Sequence, residues 1–181
     1  ATTEIYTLSL HDALPILLAA ALVFAGCASY GGRGLQPGID GVAEVVAVMG
    51  EPALRWRDPD GSEQLAFPRG PAGVHTFMAH FGPDGRLQRI VNVLDTAQFA
   101  RLQPGRDDQA SVLRLFGPPV PQWTVYYEAR DELVWEWAVC DDWNRRARFD
   151  VLFDGRTGVV RSSYQLPDLR GRDGVAPWCS R

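Results

Sequence analysis

The sequence predicts an α+β protein built from two tandem units, each with one or two short helices packed on a three- to four-stranded antiparallel sheet. Three observations support this prediction. The chain contains an internal repeat, each copy opens with apolar residues at helical spacing, and strand-like alternation follows. The first repeat spans residues 35–97 and the second spans residues 98–166, with a C-terminal tail at 167–181.

The repeat aligns without a gap at its start. LQPGIDGVAEVVAVMGEP at 35–52 matches LQPGRDDQASVLRLFGPP at 102–119, offset by 67 residues, and half of the positions are identical. After a small gap, FMAHF at 77–81 matches FDVLF at 149–153. Self-similarity of this kind indicates a structural unit that occurs twice in the chain.

Each copy is expected to begin with a short helix. Asp40 and Asp107 follow a Pro-Gly pair and occupy the position expected for a helix N-cap. Gly50 and Gly117 follow the last apolar residue and predict the helix end, with a proline just beyond. The apolar residues between them recur at helical spacing: Val42, Val45, Val46 and Met49, then Val112, Leu113 and Phe116.

Strand patterns follow each helix. ELVWEWAV alternates two sets of side chains, and ARFDVLFD places Phe149, Val151 and Phe153 on one face. GPDG and DGRTG predict hairpin turns. DTAQFARL, at 95–102, predicts a further helix that joins the copies. The helix of each copy is the available cover for one face of its sheet.

The first sixteen residues differ in composition from the rest. All 18 basic residues are arginine and none precedes Arg33, while two of the four isoleucines lie in 1–16. ATTEIYTLSLHDALPI resembles one reading frame of a translated sequencing-library adapter. We therefore interpret 1–16 as non-native and assign His11 and Asp12 no function. A genuine exported N-terminus of unusual composition is the alternative.

The next segment is interpreted as the remnant of a lipoprotein signal peptide. LLAAALVFAG, at 17–26, has the length of a signal-peptide apolar region and is too short to span a bilayer. FAGC resembles a bacterial lipobox, which implies lipidation of Cys27, and Ala28 favours the outer membrane. Residues 27–34 would form a flexible tether. Ordinary secretory cleavage, with Cys27 an incidental thiol, is the alternative.

The other two cysteines are Cys140 and Cys179. An exported protein meets an oxidising compartment, which favours a disulfide between them. Such a bond would hold the tail against the segment that follows WEWAVC. Two free, buried thiols are the alternative.

No catalytic, cofactor-binding or metal-binding residues are predicted. His75 and His80 lie five apart on one predicted strand and therefore point to opposite faces. Asp141 and Asp142 are more typical of a solvated loop than of a metal site. Most of the six tryptophans are expected in the core, and an exposed aromatic near Trp143 is the favoured binding feature. The formal net charge of −4, without a basic block, does not favour nucleic acid.

The order of these motifs resembles the BamE family (SmpA/OmlA) of small outer-membrane lipoproteins. LQPGRDDQASVLRLFGPP, LVWEWAV and FDVLFDGRTGVV carry the resemblance best, and LAFPRGPAG in the first copy departs from it. The family has a single copy of two helices on a three-stranded sheet, so the duplication places the partner surface in doubt. The resemblance implies a non-catalytic subunit that binds other envelope proteins, in particular the machinery that assembles β-barrels.

Three functions follow as hypotheses. The first is a lipid-anchored binding or scaffold protein on the periplasmic face of the outer membrane. The second is a periplasmic inhibitor or ligand-binding module, because the tandem also resembles the β-lactamase inhibitor protein. The third is an enzyme of another kind, for which the sequence offers no recognisable catalytic group.

Overall fold

The computed structural model of the chain describes residues 31–70, 72–170, 174 and 177–179. The expectations for 1–16, for 17–26 and for Cys27 lie outside the described residues. The helices are α1 (Val42–Met49), α2 (Thr96–Phe99) and α3 (Gln109–Phe116), with 3₁₀ turns at Pro121–Trp123 and Glu128–Arg130. The strands are β1 (Leu54–Arg57), β2 (Glu63–Pro68), β3 (Thr76–Phe81), β4 (Leu87–Asn92), β5 (Val125–Tyr127), β6 (Glu132–Cys140), β7 (Arg146–Asp154) and β8 (Val160–Pro167).

The strands form two separate antiparallel sheets of four. The first has the order β1-β2-β3-β4 and the second the order β5-β6-β7-β8, so every pairing is between neighbours in sequence. The fold is therefore α+β, with short helices on two sheets, as the sequence predicts. In the part of the chain that the structure describes, none of the helices has the length and apolar character needed to cross a bilayer.

The two copies share the same backbone hydrogen bonds. Gly38 N donates to Leu87 O, and Gly105 N donates to Val160 O, both at 2.8 Å. Ala53 N donates to Ala66 O, and Val120 N donates to Glu136 O, again both at 2.8 Å. These pairs tie each copy's helix and entry loop to the same places in its sheet. The repeat is thus structural as well as sequential.

The predicted N-caps are wrong by one residue. The caps are Gly41 for α1 and Asp108 for α3, and the Asp108 side chain accepts a hydrogen bond from Ser111 N. Asp40 and Asp107 instead accept from the backbone N–H groups four residues earlier, at 2.6 and 2.7 Å. They close the Pro-Gly turn before each helix, a role that Asp favours as strongly as capping.

Each sheet has its own core beneath its own helix. In the first unit, Val45 and Met49 of α1 pack on the first sheet with Leu65, Phe67, Ala79, Phe81 and Leu87. In the second unit, Val112 and Phe116 of α3 pack on the second sheet with Trp137, Val139, Phe149, Val151 and Phe153. Phe99 of α2 stacks on Phe149 with ring centroids 3.9 Å apart. The predicted inward faces of β6 and β7 are confirmed.

The second unit packs on the outer face of the first sheet. An added Cβ at Gly117 would lie 2.8 Å from Thr76 Cγ2, so the end of α3 approaches β3 closely. Arg114 of α3 forms two hydrogen bonds with Asp58, each 2.8 Å, and its carbonyl accepts from Gln64 Nε2 at 2.6 Å. The layers therefore run α1, first sheet, α3, second sheet, and α3 is shared between the sheets.

The outer faces of the two sheets differ at equivalent positions. Ala66, Met78 and Val91 are paired across β2, β3 and β4. Their counterparts across β6, β7 and β8 are Glu136, Asp150 and Tyr164. The first set is apolar where the second unit covers it. The second set is polar or charged, and in the described part of the chain Trp123 and Arg170 lie over it.

Candidate functional site

The predicted pairing of Cys140 with Cys179 is confirmed. The two residues form a disulfide with their Cα atoms 6.2 Å apart, across 39 positions of sequence. Cys140 ends β6, and Cys179 is buried in the tail. The bond therefore fixes the tail beside the turn that connects β6 and β7.

That turn and the tail together present two exposed tryptophans. Trp143 is 74% exposed and Trp178 is 70% exposed, the two highest values among the exposed large apolar residues of the described chain. Trp178 forms an isolated bridge with Arg145, two residues after Trp143. We call Trp143 and Trp178 the aromatic tip. An exposed aromatic side chain near Trp143 is what the sequence predicts, and the tip is that feature.

Hydrogen bonds hold the backbone of the aromatic tip. Asp141 Oδ1 accepts from Trp143 N at 2.9 Å and from Arg145 N at 2.8 Å. Arg146 N donates to Pro177 O at 2.6 Å, and Cys179 N donates to Asn144 O at 2.9 Å. The backbone of the aromatic tip is therefore held in a defined conformation. A surface that is already ordered loses less conformational entropy when it binds.

The two aspartates beside the tip have structural partners. Burial raises the pKa of Asp141, but hydrogen bonds from the Arg145 backbone and guanidinium outweigh it and lower the pKa below its usual value. Asp142 accepts from Thr96 Oγ1 at 2.9 Å. In the part of the chain that the structure describes, no group of three or more His, Cys, Asp or Glu side chains is placed to hold a metal ion.

The two histidines lie on different sides of the first sheet. His80 is within β3, while His75 immediately precedes the strand and stacks on Phe77 with ring centroids 6.1 Å apart. Their opposite orientation matches the sequence prediction, although only His80 belongs to the strand. Burial lowers the pKa of His80 to about 4, and the charges of Arg89, Arg101 and Arg114 act in the same direction.

His80 lines a groove of about 700 Å³ between the units. Arg101, Arg106 and Arg114 also line it, but each of these arginines already has a partner. Arg101 and Arg106 donate to Gln98 and Gln103, and Arg114 pairs with Asp58. The groove is thus polar, with three arginines and the carboxylates of Asp58 and Asp107 in its lining.

The remaining tryptophans follow the core prediction only in part. Trp137 is 1% exposed, and Trp135 packs against the same cluster. Trp56 packs on the outer face of the first sheet, with Arg114 above its ring at 5.8 Å from the centroid. Trp123 lies over the outer face of the second sheet, where Arg170 covers its ring.

Sequence reasoning did not identify the charged outer face of the second sheet. Glu136 and Asp150 stand opposite each other on β6 and β7, are 7% and 9% exposed, and border a cleft of about 370 Å³. Burial raises the pKa of Asp150 to about 6, and the neighbouring charge of Glu136 adds to the effect. The signal was available in the alternation of ELVWEWAV and ARFDVLFD, whose outward positions hold these carboxylates.

Compared with protein-family profiles, with curated proteins and with solved structures, the chain matches none of them.

Proposed function

We propose that this protein is a non-catalytic binding subunit, anchored through a lipidated Cys27 to the periplasmic face of the bacterial outer membrane. Its partners would be other envelope proteins, in the first place the machinery that assembles β-barrels in that membrane. The BamE-like order of the sequence motifs and the exposed aromatic tip support this function. Such a function requires neither a cofactor nor nucleic acid.

The observation that supports this proposal is the aromatic tip. Tryptophans carry a large share of binding energy in protein interfaces, particularly where they are rigid and surrounded by polar groups. Trp143 and Trp178 are exposed and held by a disulfide, by Asp141 and by backbone hydrogen bonds. Arg145, which bridges to Trp178 and pairs with Asp141, supplies a charged group beside them.

The test is co-purification from bacterial outer membranes. The chain is expressed behind an intact lipoprotein leader, and the barrel-assembly complex is isolated through one of its other subunits. We expect the wild type to co-purify, and the Trp143→Ala/Trp178→Ala variant to be lost from the complex while it remains in the membrane fraction. Loss of two interface anchors, at about 1–3 kcal/mol each, predicts at least a tenfold weaker association.

Ile39→Ala is the matched control. Ile39 is 59% exposed and lies in the entry loop of the first unit, so its truncation removes exposed apolar surface elsewhere. This variant should co-purify like the wild type. If the wild type never accompanies the complex, the assignment to barrel assembly fails. If both tryptophans can be removed without effect, the aromatic tip is not the contact surface.

Anchoring is tested separately. Cys27→Ser should move the protein from the membrane fraction to the soluble periplasmic fraction and abolish incorporation of a labelled fatty acid. Several acyl chains on one cysteine hold a protein firmly, whereas one alone binds only reversibly. Unchanged membrane attachment after this substitution would refute lipidation at Cys27.

A periplasmic inhibitor remains a second candidate because the two units are fixed to one another. The Asp58–Arg114 pair and the approach of Gly117 to Thr76 join two sheets in one body. A tandem of this kind can present a wide surface to a secreted hydrolase. Stoichiometric inhibition of a β-lactamase by the purified chain, with no association with the barrel-assembly complex, would favour this candidate over the first.

A further inference from the structure

The outer face of the second sheet already holds a guanidinium group. Arg170, which follows β8, lies with its guanidinium carbon 3.9 Å from the centroid of the Trp123 ring. Its Nη2 is 2.7 Å from Glu136 Oε1. An aromatic ring beneath the plane of the guanidinium and a carboxylate at its edge are the two elements that proteins use to recognise arginine.

The charge of the sheet is not balanced without Arg170. Glu136 and Asp150 face each other across β6 and β7, and Arg148 is the cation on the same strands, 3.5 Å from Glu136 and 3.9 Å from Asp150. Two carboxylates and one guanidinium leave a net charge of about −1 in a largely buried cluster. Asp150 Oδ1 is buried and has no hydrogen-bond partner within the described chain. One further guanidinium therefore makes the cluster neutral, and Arg170 is the group that occupies this place.

The corresponding place in the first unit also receives the segment that follows its sheet. There, the end of α3 approaches Ala66 and Met78, because an added Cβ at Gly117 would lie 3.7 and 3.6 Å from their side chains. In the second unit the equivalent residues are carboxylates, and the segment that follows β8 supplies Arg170. The same location is thus an apolar packing surface in the first unit and a cation-binding surface in the second.

We propose that this face is a binding site for the arginine side chain of a partner protein, and that Arg170 occupies it within the same chain until the partner displaces it. The site consists of Trp123 as the stacking surface and Glu136 as the pairing carboxylate, with Asp150 beside it. Asp168, which pairs with Arg170 at 2.8 Å, belongs to the departing segment and provides an alternative partner for Arg170 after displacement. The proposal is independent of the aromatic tip.

The test measures binding of N-acetyl-argininamide to the full chain, by titration calorimetry and by the indole resonance of Trp123. Removing the internal competitor should expose the site, so Arg170→Ala is expected to bind the probe at least about tenfold more tightly than the wild type, which is the effect of one charge-assisted contact of about 1.4 kcal/mol. Arg170→Ala/Glu136→Gln should lose that binding. Arg101→Ala, which removes an arginine from the inter-unit groove, should bind like the wild type.

The citrulline analogue of the probe, which keeps the shape but lacks the charge, should not bind Arg170→Ala. Equal binding of N-acetyl-lysinamide would refute recognition of the guanidinium and leave a general cation site. Absence of saturable binding to Arg170→Ala would overturn the proposal. If that variant does not fold, Arg170→Lys keeps the charge but competes less well for the site, and it must bind the probe more tightly than the wild type does. Failure of excess probe to move the Trp123 resonance in Arg170→Lys and in the wild type would refute it equally.

Discussion

The duplicated fold provides a matched pair of glycines, and substituting them separates backbone strain from contact between the units. Gly50 and Gly117 occupy the same position at the ends of α1 and α3, with φ of 86° and 75° and ψ of −171° and −169°. Alanine is strained in that region of φ/ψ space, so each substitution to alanine is expected to cost about 1–3 kcal/mol. The two sites differ in what a side chain would meet, and Gly117 also precedes a proline whereas Gly50 precedes Glu51.

A Cβ at position 50 would have no neighbour within 4 Å, whereas at position 117 it would lie 2.8 Å from Thr76 Cγ2. Thr76 is 2% exposed and has little room to move. Overpacking of this kind costs about 1–3 kcal/mol. Gly117→Ala should therefore destabilise the protein by about 1–3 kcal/mol more than Gly50→Ala.

The assay is urea unfolding, followed by far-UV circular dichroism and by tryptophan fluorescence. The free energies of unfolding are compared between variants that share the same m-value, the slope against urea concentration. Thr76→Ser removes the Cγ2 methyl group and serves as the rescue. It should recover most of the excess cost of Gly117→Ala and leave the cost of Gly50→Ala unchanged. Equal destabilisation by the two alanines, or no rescue by Thr76→Ser, would refute the packing of the second unit on the first sheet.

Three further substitutions test other parts of the molecule. Phe116→Ala removes a fully buried ring that packs edge-on against Trp137 and should cost about 3–5 kcal/mol in urea unfolding. Asp150→Asn should raise the melting temperature at pH 7 and leave it unchanged near pH 3. Because the pKa of Asp150 is raised from 3.8 to about 6, this carboxyl holds its proton more tightly in the folded protein than in the unfolded chain, and its contribution to stability falls as pH rises between these values. A difference in stability between Asp150→Asn and the wild type that does not grow between pH 3 and pH 7 would contradict the assignment. Replacing Cys140 and Cys179 together by serine should lower the free energy of unfolding by up to about 4 kcal/mol and make it insensitive to dithiothreitol.

The arrangement within each unit could be predicted because short-range patterns determine it. Apolar residues at helical spacing placed Val45, Met49, Val112 and Phe116 in the cores, and strand alternation did the same for Phe149 and Val151. The N-caps were misplaced because Asp40 and Asp107 satisfy the requirements of two local structures. Side-chain hydrogen bonds of Asp close turns as readily as they cap helices.

The contact between the two units could not be predicted by comparing the two copies of the repeat. Arg114 and Asp58 are 56 residues apart, and nothing in the spacing indicates that they meet. The charged cleft was overlooked for a related reason. Glu136 and Asp150 occupy outward positions of predicted strands, where carboxylates are expected in solvent, and their burial depends on Trp123 and Arg170 from distant segments.

The sharing of α3 between two sheets also determines how long such a stack can grow. A third copy added by the same geometry would press the end of its helix onto Glu136 and Asp150, as Gly117 presses onto Ala66 and Met78. Two carboxylates sealed under the end of a helix would cost several kcal/mol, so this face disfavours the stacking of another copy by the same geometry. Exchanging the acidic pair for alanine and methionine should remove that penalty and favour self-association through this face.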